Sequence, residues 1–276
     1  MCRLLGIVAS EPTEFGLVLT QAPRCLATLS REHPDGWGIA IHDPEAAASS
    51  GSWDLYKGTE RAGEDVRFHE IAARSRGHVL VAHIRQKTVG PTLLENTHPF
   101  SRDGWVFAHN GTVQATDYLR ERSSAGRLAE IAGQTDSELL FAYLLTRLDE
   151  RGLSRLDGEA SRQAATETIA AVTAELREAR IGAFNFLLSD GVTCFAHRCG
   201  RSLFLLELTP SDPVRERRSV APGTDVVTKW TPQRHAVFVA SEKITDEPWT
   251  ELPEGTFMRI ERLPTPRIVS GTERAA

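Results

Sequence analysis

The grouping of its strand-like runs constrains this chain most. Apolar, β-branched or alternating runs occupy residues 4–9, 37–42, 53–57, 79–85 and 105–109, and again 183–189, 192–198, 202–208, 236–241 and 256–262. Between the two groups the period changes. Thr135-Asp136-Ser137-Glu138 has the form of a capping box, and Leu140, Tyr143, Leu144 and Leu148 follow at helical spacing until Gly152. A second helix is predicted over 161–180, with Ala165, Ile169, Val172 and Leu176 on one face, and a third over 66–75. Strands in groups and helices in groups, rather than strict alternation, predict an α+β fold with antiparallel sheets, not a doubly wound parallel one. Asp190-Gly191 between two strand runs predicts a hairpin turn. The stretch 210–232, rich in Pro, Ser and charge, reads as a long surface loop without a domain boundary, so that 1–276 is expected to form a single domain.

Composition narrows the function classes. A chain of 276 residues needs no disulfide staples to build a core, and a net charge of -5 argues against a nucleic-acid binder relying on a basic face. No apolar run approaches the ~18–20 residues needed to span a bilayer. The run after Arg3 is too short for a signal peptide and stops at Glu11-Pro12, so it is expected to be a first strand, and the protein to be cytoplasmic. Cys2, Cys25, Cys194 and Cys199 are then expected to be free thiols. Cys194, His197 and Cys199 fit no common zinc spacing and read as a strand with small side chains.

Several short strings carry residue types suited to chemistry. Cys2 follows Met1, and methionine aminopeptidases remove Met before a small residue. A thiol and a free α-amine would then share one residue. With an amine pKa of about 7.7–8.0, a neutral fraction can act as base for the thiol. Arg85, after the strand run ending in His83-Ile84, can fork onto a carboxylate or sit in an ordinary ion pair. In Asn96-Thr97-His98-Pro99-Phe100, the proline stiffens the loop, and His98 can touch a substrate or support a pocket. Asn110-Gly111 offers a side-chain amide next to a backbone N–H, the two donors of an oxyanion hole, but also the commonest kind of β-turn. Asp136 can cap a helix or grip a substrate ammonium. Taken in order, a nucleophile, a cation, an oxyanion hole and an anion match the needs of L-glutamine, which carries an α-carboxylate, an α-ammonium and a distant amide.

On these motifs the chain resembles the class II glutamine amidotransferases of the N-terminal-nucleophile hydrolase superfamily. The resemblance rests on Met1-Cys2-Arg3-Leu4-Leu5-Gly6, His83-Ile84-Arg85 with Thr88, Asn96 to Phe100, His109-Asn110-Gly111 and Thr135 to Glu138. His33-Pro34-Asp35-Gly36-Trp37-Gly38-Ile39, Phe184 to Gly191, and Ala240-Ser241-Glu242-Lys243 with Trp249 look like the stand-alone YafJ-type members. The resemblance implies a four-layer αββα sandwich with two antiparallel sheets. It implies Cys2 as nucleophile, with its own amine as base, and Asn110 and Gly111 as the oxyanion hole. Arg85 would bind the α-carboxylate and Asp136 the α-ammonium, with Thr88 and His98 lining the pocket. The implied reaction hydrolyses the glutamine amide to glutamate and ammonia through a γ-glutamyl thioester, with no metal or organic cofactor. Three readings follow: an ammonia-supplying glutaminase with a separate synthetase partner; a hydrolase of a γ-glutamyl amide, like the enzymes of ergothioneine biosynthesis or glutathione breakdown; and a non-catalytic binding protein on the same scaffold. A homo-oligomer is compatible with all three.

Overall fold

The computed structural model describes residues 2–45, 53–210 and 235–270, together with the short pairs Arg217–Arg218 and Val227–Thr228. From the amino end, the chain runs through β1 (Arg3–Glu14), a π-type turn, α1 (Leu26–Leu29), β2 (Trp37–His42), β3 (Trp53–Gly58), α2 (Val66–Arg74) and β4 (Arg76–Ile84). It continues through β5 (Phe100–Arg102), β6 (Trp105–Val113), α3 (Thr116–Arg122), α4 (Ala125–Ala129), α5 (Asp136–Asp149) and α6 (Glu159–Glu178). The last part holds β7 (Gly182–Ser189), β8 (Thr193–His197), β9 (Phe204–Leu208), β10 (Arg217–Arg218), β11 (Val227–Thr228), β12 (Ala236–Ala240), β13 (Thr250–Glu251), β14 (Phe257–Glu261) and β15 (Arg267–Ser270).

Two antiparallel sheets result. One has seven strands in the order β13-β9-β12-β1-β4-β2-β3, the other six in the order β15-β14-β8-β7-β6-β5, and β10 and β11 pair separately. The alternation of each strand sorts its side chains between two layers. Leu4 and Val8 of β1, Val79 and Val81 of β4, and Val106 and Ala108 of β6 meet Leu187 in the layer between the sheets. Leu5 and Ile7 face outward with Trp37 and Phe68, under α1 and α2. Phe107 and Phe186 face the other way, onto α3, α5 and α6 through Leu119, Phe141 and Ile169. The architecture is therefore the expected α+β sandwich of helices, sheet, sheet and helices.

Every expected strand run forms a strand, with shifts at the ends. β6 is the instructive one. It runs past His109 to Val113, and Asn110 and Gly111 pair with Asn185 and Phe184 in mid-strand, so this Asn-Gly pair is not a turn. The long neighbour β7 keeps the ladder going where the local signal says stop. Asp190-Gly191 does turn the chain between β7 and β8, with Gly191 at φ +89° and the Asp190 carboxylate accepting from the Val192 and Thr193 N–H groups. The capping box is only half formed. The Thr135 hydroxyl accepts from Glu138 N–H at 3.3 Å, but the Glu138 carboxylate instead accepts from Gly133 N–H at 2.8 Å and from Arg102 at 3.0 Å. A nearby guanidinium and a turn of loop N–H groups outbid the single N–H behind the cap. The short elements α1, α3, α4, β5, β13 and β15 lie below the length at which periodicity shows. Most of 210–232, the expected surface loop, falls outside the described residues.

Gly38 marks where β2 meets the segment carrying His98. A Cβ there would overlap the His98 carbonyl oxygen and lie 2.9 Å from Pro99 Cδ. Both neighbours are backbone or ring atoms held in a buried layer, and neither can yield cheaply. Gly38→Ala should therefore destabilise the protein by about 3 kcal/mol, read as a lowered denaturant midpoint at unchanged m-value.

Candidate active site

Cys2 stands immediately before β1, the middle strand of the larger sheet. The pairing of Arg3 with Ile84 sets it beside the chain leaving β4. Its sulfur lies between two main-chain groups of one residue. Gln86 N–H donates to Sγ at 3.3 Å, and Sγ–H reaches Gln86 O at 3.3 Å. Burial pushes the thiol pKa up. The Gln86 contact, the α-amine at the head of the chain and Arg85 pull it down, and Asp136 adds to the rise. The resting thiol is therefore protonated and needs a base nearby to react.

A cavity of about 300 Å³, including its open mouth, is lined by Cys2, Arg85, Thr88, His98, Gly111 and Asp136, together with Gln86, Asn96, His109 and Ser137. Six residues singled out in the sequence thus converge on one space. The seventh, Asn110, is not in its wall. Its side chain follows Val106 and Ala108 onto the face between the sheets, the face that Cys2 shares through Leu4. Asn110 is 4 % exposed, and among the described residues its amide makes no hydrogen bond. Its strand neighbour Asn185 is the opposite case. That amide donates to Arg201 O and Ser202 O and accepts from Cys199 N–H.

Arg85 and Asp136 face the cavity from different elements. Arg85 is 3 % exposed, and among the described residues no carboxylate pairs with it. Its guanidinium donates to Val89 O and Pro91 O, both at 3.0 Å. Burial lowers its pKa from the ordinary arginine value, against the pull of Cys2 and Asp35. Asp136 opens α5 and accepts from Val113 N–H at 2.6 Å, tying the start of the helix to the end of β6. Asn96 closes the roof: it donates to Pro91 O and accepts from Gln134 N–H, joining the loop after Arg85 to the approach to α5.

The histidines here are neutral packing groups. His109 Nε2 lies 3.2 Å from Ala183 O, which can only accept, so Nε2 carries the proton and Nδ1 accepts from Ser137 Oγ at 2.8 Å. The His98 ring packs 4.3 Å from that of His83 and 4.5 Å from Phe100. Burial holds His98 well below the usual histidine range and His83 at about 3. Three parts of the site escaped the sequence reading: Gln86, Asn96 as a roof tie, and the buried imidazoles of His83 and His109. Gln86 acts through its main chain, which no residue type announces. His83 and His109 were visible only as neighbours of Arg85 and Asn110.

Cys194 and His197 lie on opposite faces of β8. Cys194 joins the layer between the sheets, and its thiol is pushed up to about 12 by burial. His197 packs among Phe184, Phe186 and Phe257 and meets Thr256 O at 3.0 Å. Among the described residues no helix is long and apolar enough to cross a membrane.

Residues 1–267 match the family described as class II glutamine amidotransferases. The chain is 31% identical over 271 residues to Escherichia coli YafJ, named as a glutamine amidotransferase, covering 93% of this chain and 96% of that one. It is 29% identical over 262 residues to the gamma-glutamyl-hercynylcysteine sulfoxide hydrolase of Mycobacterium tuberculosis, covering 89% and 95%. In fold it resembles the crystal structure of a predicted glutamine amidotransferase from Pseudomonas aeruginosa, with a TM-score of 0.61 at 24% identity, covering 93% and 96%. It also resembles the glutamine phosphoribosylpyrophosphate amidotransferase of B. subtilis, with a TM-score of 0.58 at 17% identity, covering 97% of this chain and 49% of that one.

Proposed function

The chain belongs to the class II glutamine amidotransferases, a family of enzymes, and we propose that it hydrolyses the side-chain amide of L-glutamine with Cys2 as nucleophile after removal of Met1. One observation carries this reading. The thiol bracketed by Gln86, and a guanidinium and a carboxylate that have no ion-pair partner among the described residues, open on the same cavity. Cation and anion suit the α-carboxylate and α-ammonium of a glutamyl group, and the thiol suits its amide.

The steps follow from these atoms. The α-amine of Cys2 takes the thiol proton as Sγ attacks the amide carbon. Asn110 Nδ2 and Gly111 N–H receive the developing oxyanion. The same amine returns the proton to the departing ammonia, leaving a γ-glutamyl thioester. Water, deprotonated by the amine, then cleaves the thioester to glutamate and free thiol. Gly111 suits its place because any side chain there would overlap Ala183 O and lie 2.7 Å from His109 Nε2. Thr88 and His98 shape the wall. The reaction runs in one domain in the cytoplasm, and ammonia passes to a separate acceptor enzyme or to water.

A second reading is favoured by the likeness to the mycobacterial hydrolase over 89% of this chain: a γ-glutamyl amide in place of glutamine. Arg85 and Asp136 would read the glutamyl end that both substrates share. Glutamate release from purified protein, with glutamine and a panel of γ-glutamyl amides in parallel, separates the two. Faster turnover of a γ-glutamyl amide than of glutamine would replace the first reading with the second, and no Cys2-dependent turnover of any compound would refute both.

Arg85→Lys tests the recognition half. A point charge replaces a planar fork, so KM for glutamine should rise about 10–100-fold, with kcat changed far less. Steady-state kinetics check this, and an unchanged KM would remove Arg85 from substrate binding.

A further inference from the structure

The His33-Pro34-Asp35-Gly36 string has no part in the reaction as described, yet it grips the strand end that holds the nucleophile. Asp35 N–H donates to Arg85 O at 3.1 Å, and Arg85 N–H to Gly36 O at 2.8 Å. Lys87 N–H donates to the Asp35 carboxylate at 2.8 Å. Between these ties sits a contact of side chain with side chain, His33 Nδ1 to Gln86 Oε1 at 3.2 Å. Gln86 is the residue whose N–H and C=O bracket Cys2 Sγ.

The amide oxygen of Gln86 accepts, so His33 Nδ1 carries the proton. The ring is 3 % exposed, and its Nε2 finds no hydrogen bond among the described residues. Glu32 is the nearest carboxylate, at 3.9 Å. Burial, with Arg3 and the α-amine, pulls the imidazole down to about 4 against Gln86 and Glu32. The ring is thus neutral at working pH and does not exchange protons with the substrate. A rigid, neutral, buried donor fixed to a flexible amide is suited to holding that amide still.

We infer that His33 is a positioning residue for the Cys2 nucleophile, acting through the Gln86 side chain to keep the Gln86 N–H aimed at Sγ. The inference rests on Cys2 being the nucleophile. An N–H donor to sulfur favours the thiolate. The ties at Arg85 and Lys87 limit how far this segment can move, so a Gln86 without its side-chain anchor shifts its N–H only slightly from Sγ, which still leaves the thiol harder to ionise. Arg85 is held separately, by the carbonyls of Val89 and Pro91, so substrate binding should hardly change. The charged groups acting on the thiol itself are the α-amine at the head of the chain, Arg85 and Asp136. Removal of Met1 moves that amine onto Cys2 in wild type and variants alike, and Arg85 and Asp136 are unaltered in the variants below.

The test compares wild type, His33→Ala, His33→Asn and Gln86→Met. Each is checked by intact mass for loss of Met1 and by thermal melting for folding. Alkylation of Cys2 by iodoacetamide is followed as a function of pH on the Cys2 peptide, alongside kcat and KM for glutamate release. His33→Ala should shift the alkylation midpoint up by about one pH unit and slow labelling at pH 7 about tenfold. It should lower kcat about tenfold with KM within about twofold. Gln86→Met, which removes the acceptor but leaves His33, should do the same. His33→Asn, whose amide nitrogen stands where Nδ1 stood, should recover most of the loss. Alkylation profiles of His33→Ala or Gln86→Met that superimpose on wild type, or an asparagine variant no better than alanine, would overturn the inference. A wild-type enzyme without Cys2-dependent turnover on any glutamyl compound would instead refute the nucleophile, and the inference would fall with it.

Discussion

Cys2→Ala should lower glutamate release by roughly 10⁶-fold, the scale seen when a hydrolase loses its nucleophile, while the melting temperature stays within a few degrees of wild type. The side chain is small and only partly buried, and its hydrogen bonds run to one residue, Gln86. Its removal therefore touches chemistry far more than packing. Cys2→Ser separates nucleophile from geometry. It keeps the attachment to Gln86, but its hydroxyl is a far poorer nucleophile at neutral pH, so it too should be nearly inactive. Protein that retains Met1 should be as inert as Cys2→Ala, because its amine is carried one residue away from the thiol. Intact mass and kinetics on the same preparation would show whether activity tracks the processed fraction. Turnover that survives Cys2→Ala would remove the thioester altogether.

Asn110→Ala is the second large effect, and it should fall on kcat. Losing one oxyanion donor costs about 10²–10³ in rate, with KM nearly unchanged because the donor is needed only as charge develops on the carbonyl oxygen. The adjacent Asn185 provides the internal control. Its amide is consumed by three main-chain groups, and Asn185→Ala would leave the half-buried Cys199 N–H without that acceptor. That substitution should cost about 1–3 kcal/mol of stability and leave kcat per folded molecule close to wild type. Two asparagines side by side on paired strands would then show opposite phenotypes, one kinetic and one thermodynamic. Equal loss of kcat in both would mean that Asn110 is structural.

Asn110 also shows how local signals and tertiary context diverge. By itself, Asn110-Gly111 favours a turn, because those residue types relieve the strain of a tight reversal. In the fold the pair lies in mid-strand, since β7 offers a continuous partner up to Gly182 and a ladder of cross-strand hydrogen bonds outweighs a turn preference. Thr135 to Glu138 tells a similar story. The motif marked the helix start correctly, but the Glu138 carboxylate found Arg102 and the 132–133 main chain, groups distant or irregular in sequence. Arg85 was legible as a cation at a strand end. That no carboxylate among the described residues pairs with it was not, because that depends on every side chain that might have reached it.

What the sequence by itself determined were the properties carried by residue type and period: the strand runs, the long helices, the sorting of apolar faces, and a thiol, a cation, an amide and an anion in the order of the family's motifs. These are legible because side-chain chemistry and the repeats of strand and helix act over a few residues. Only the tertiary structure decided how these parts meet. It set the Gln86 main chain around Cys2, turned Asn110 toward the layer between the sheets, brought Arg85 and Asp136 to one cavity, and clamped residues 85–87 with the His33–Gly36 segment. Those contacts join residues tens of positions apart, many through backbone atoms that are the same in every residue. No short-range pattern encodes them, and they exist only once two packed sheets fix the register of every strand.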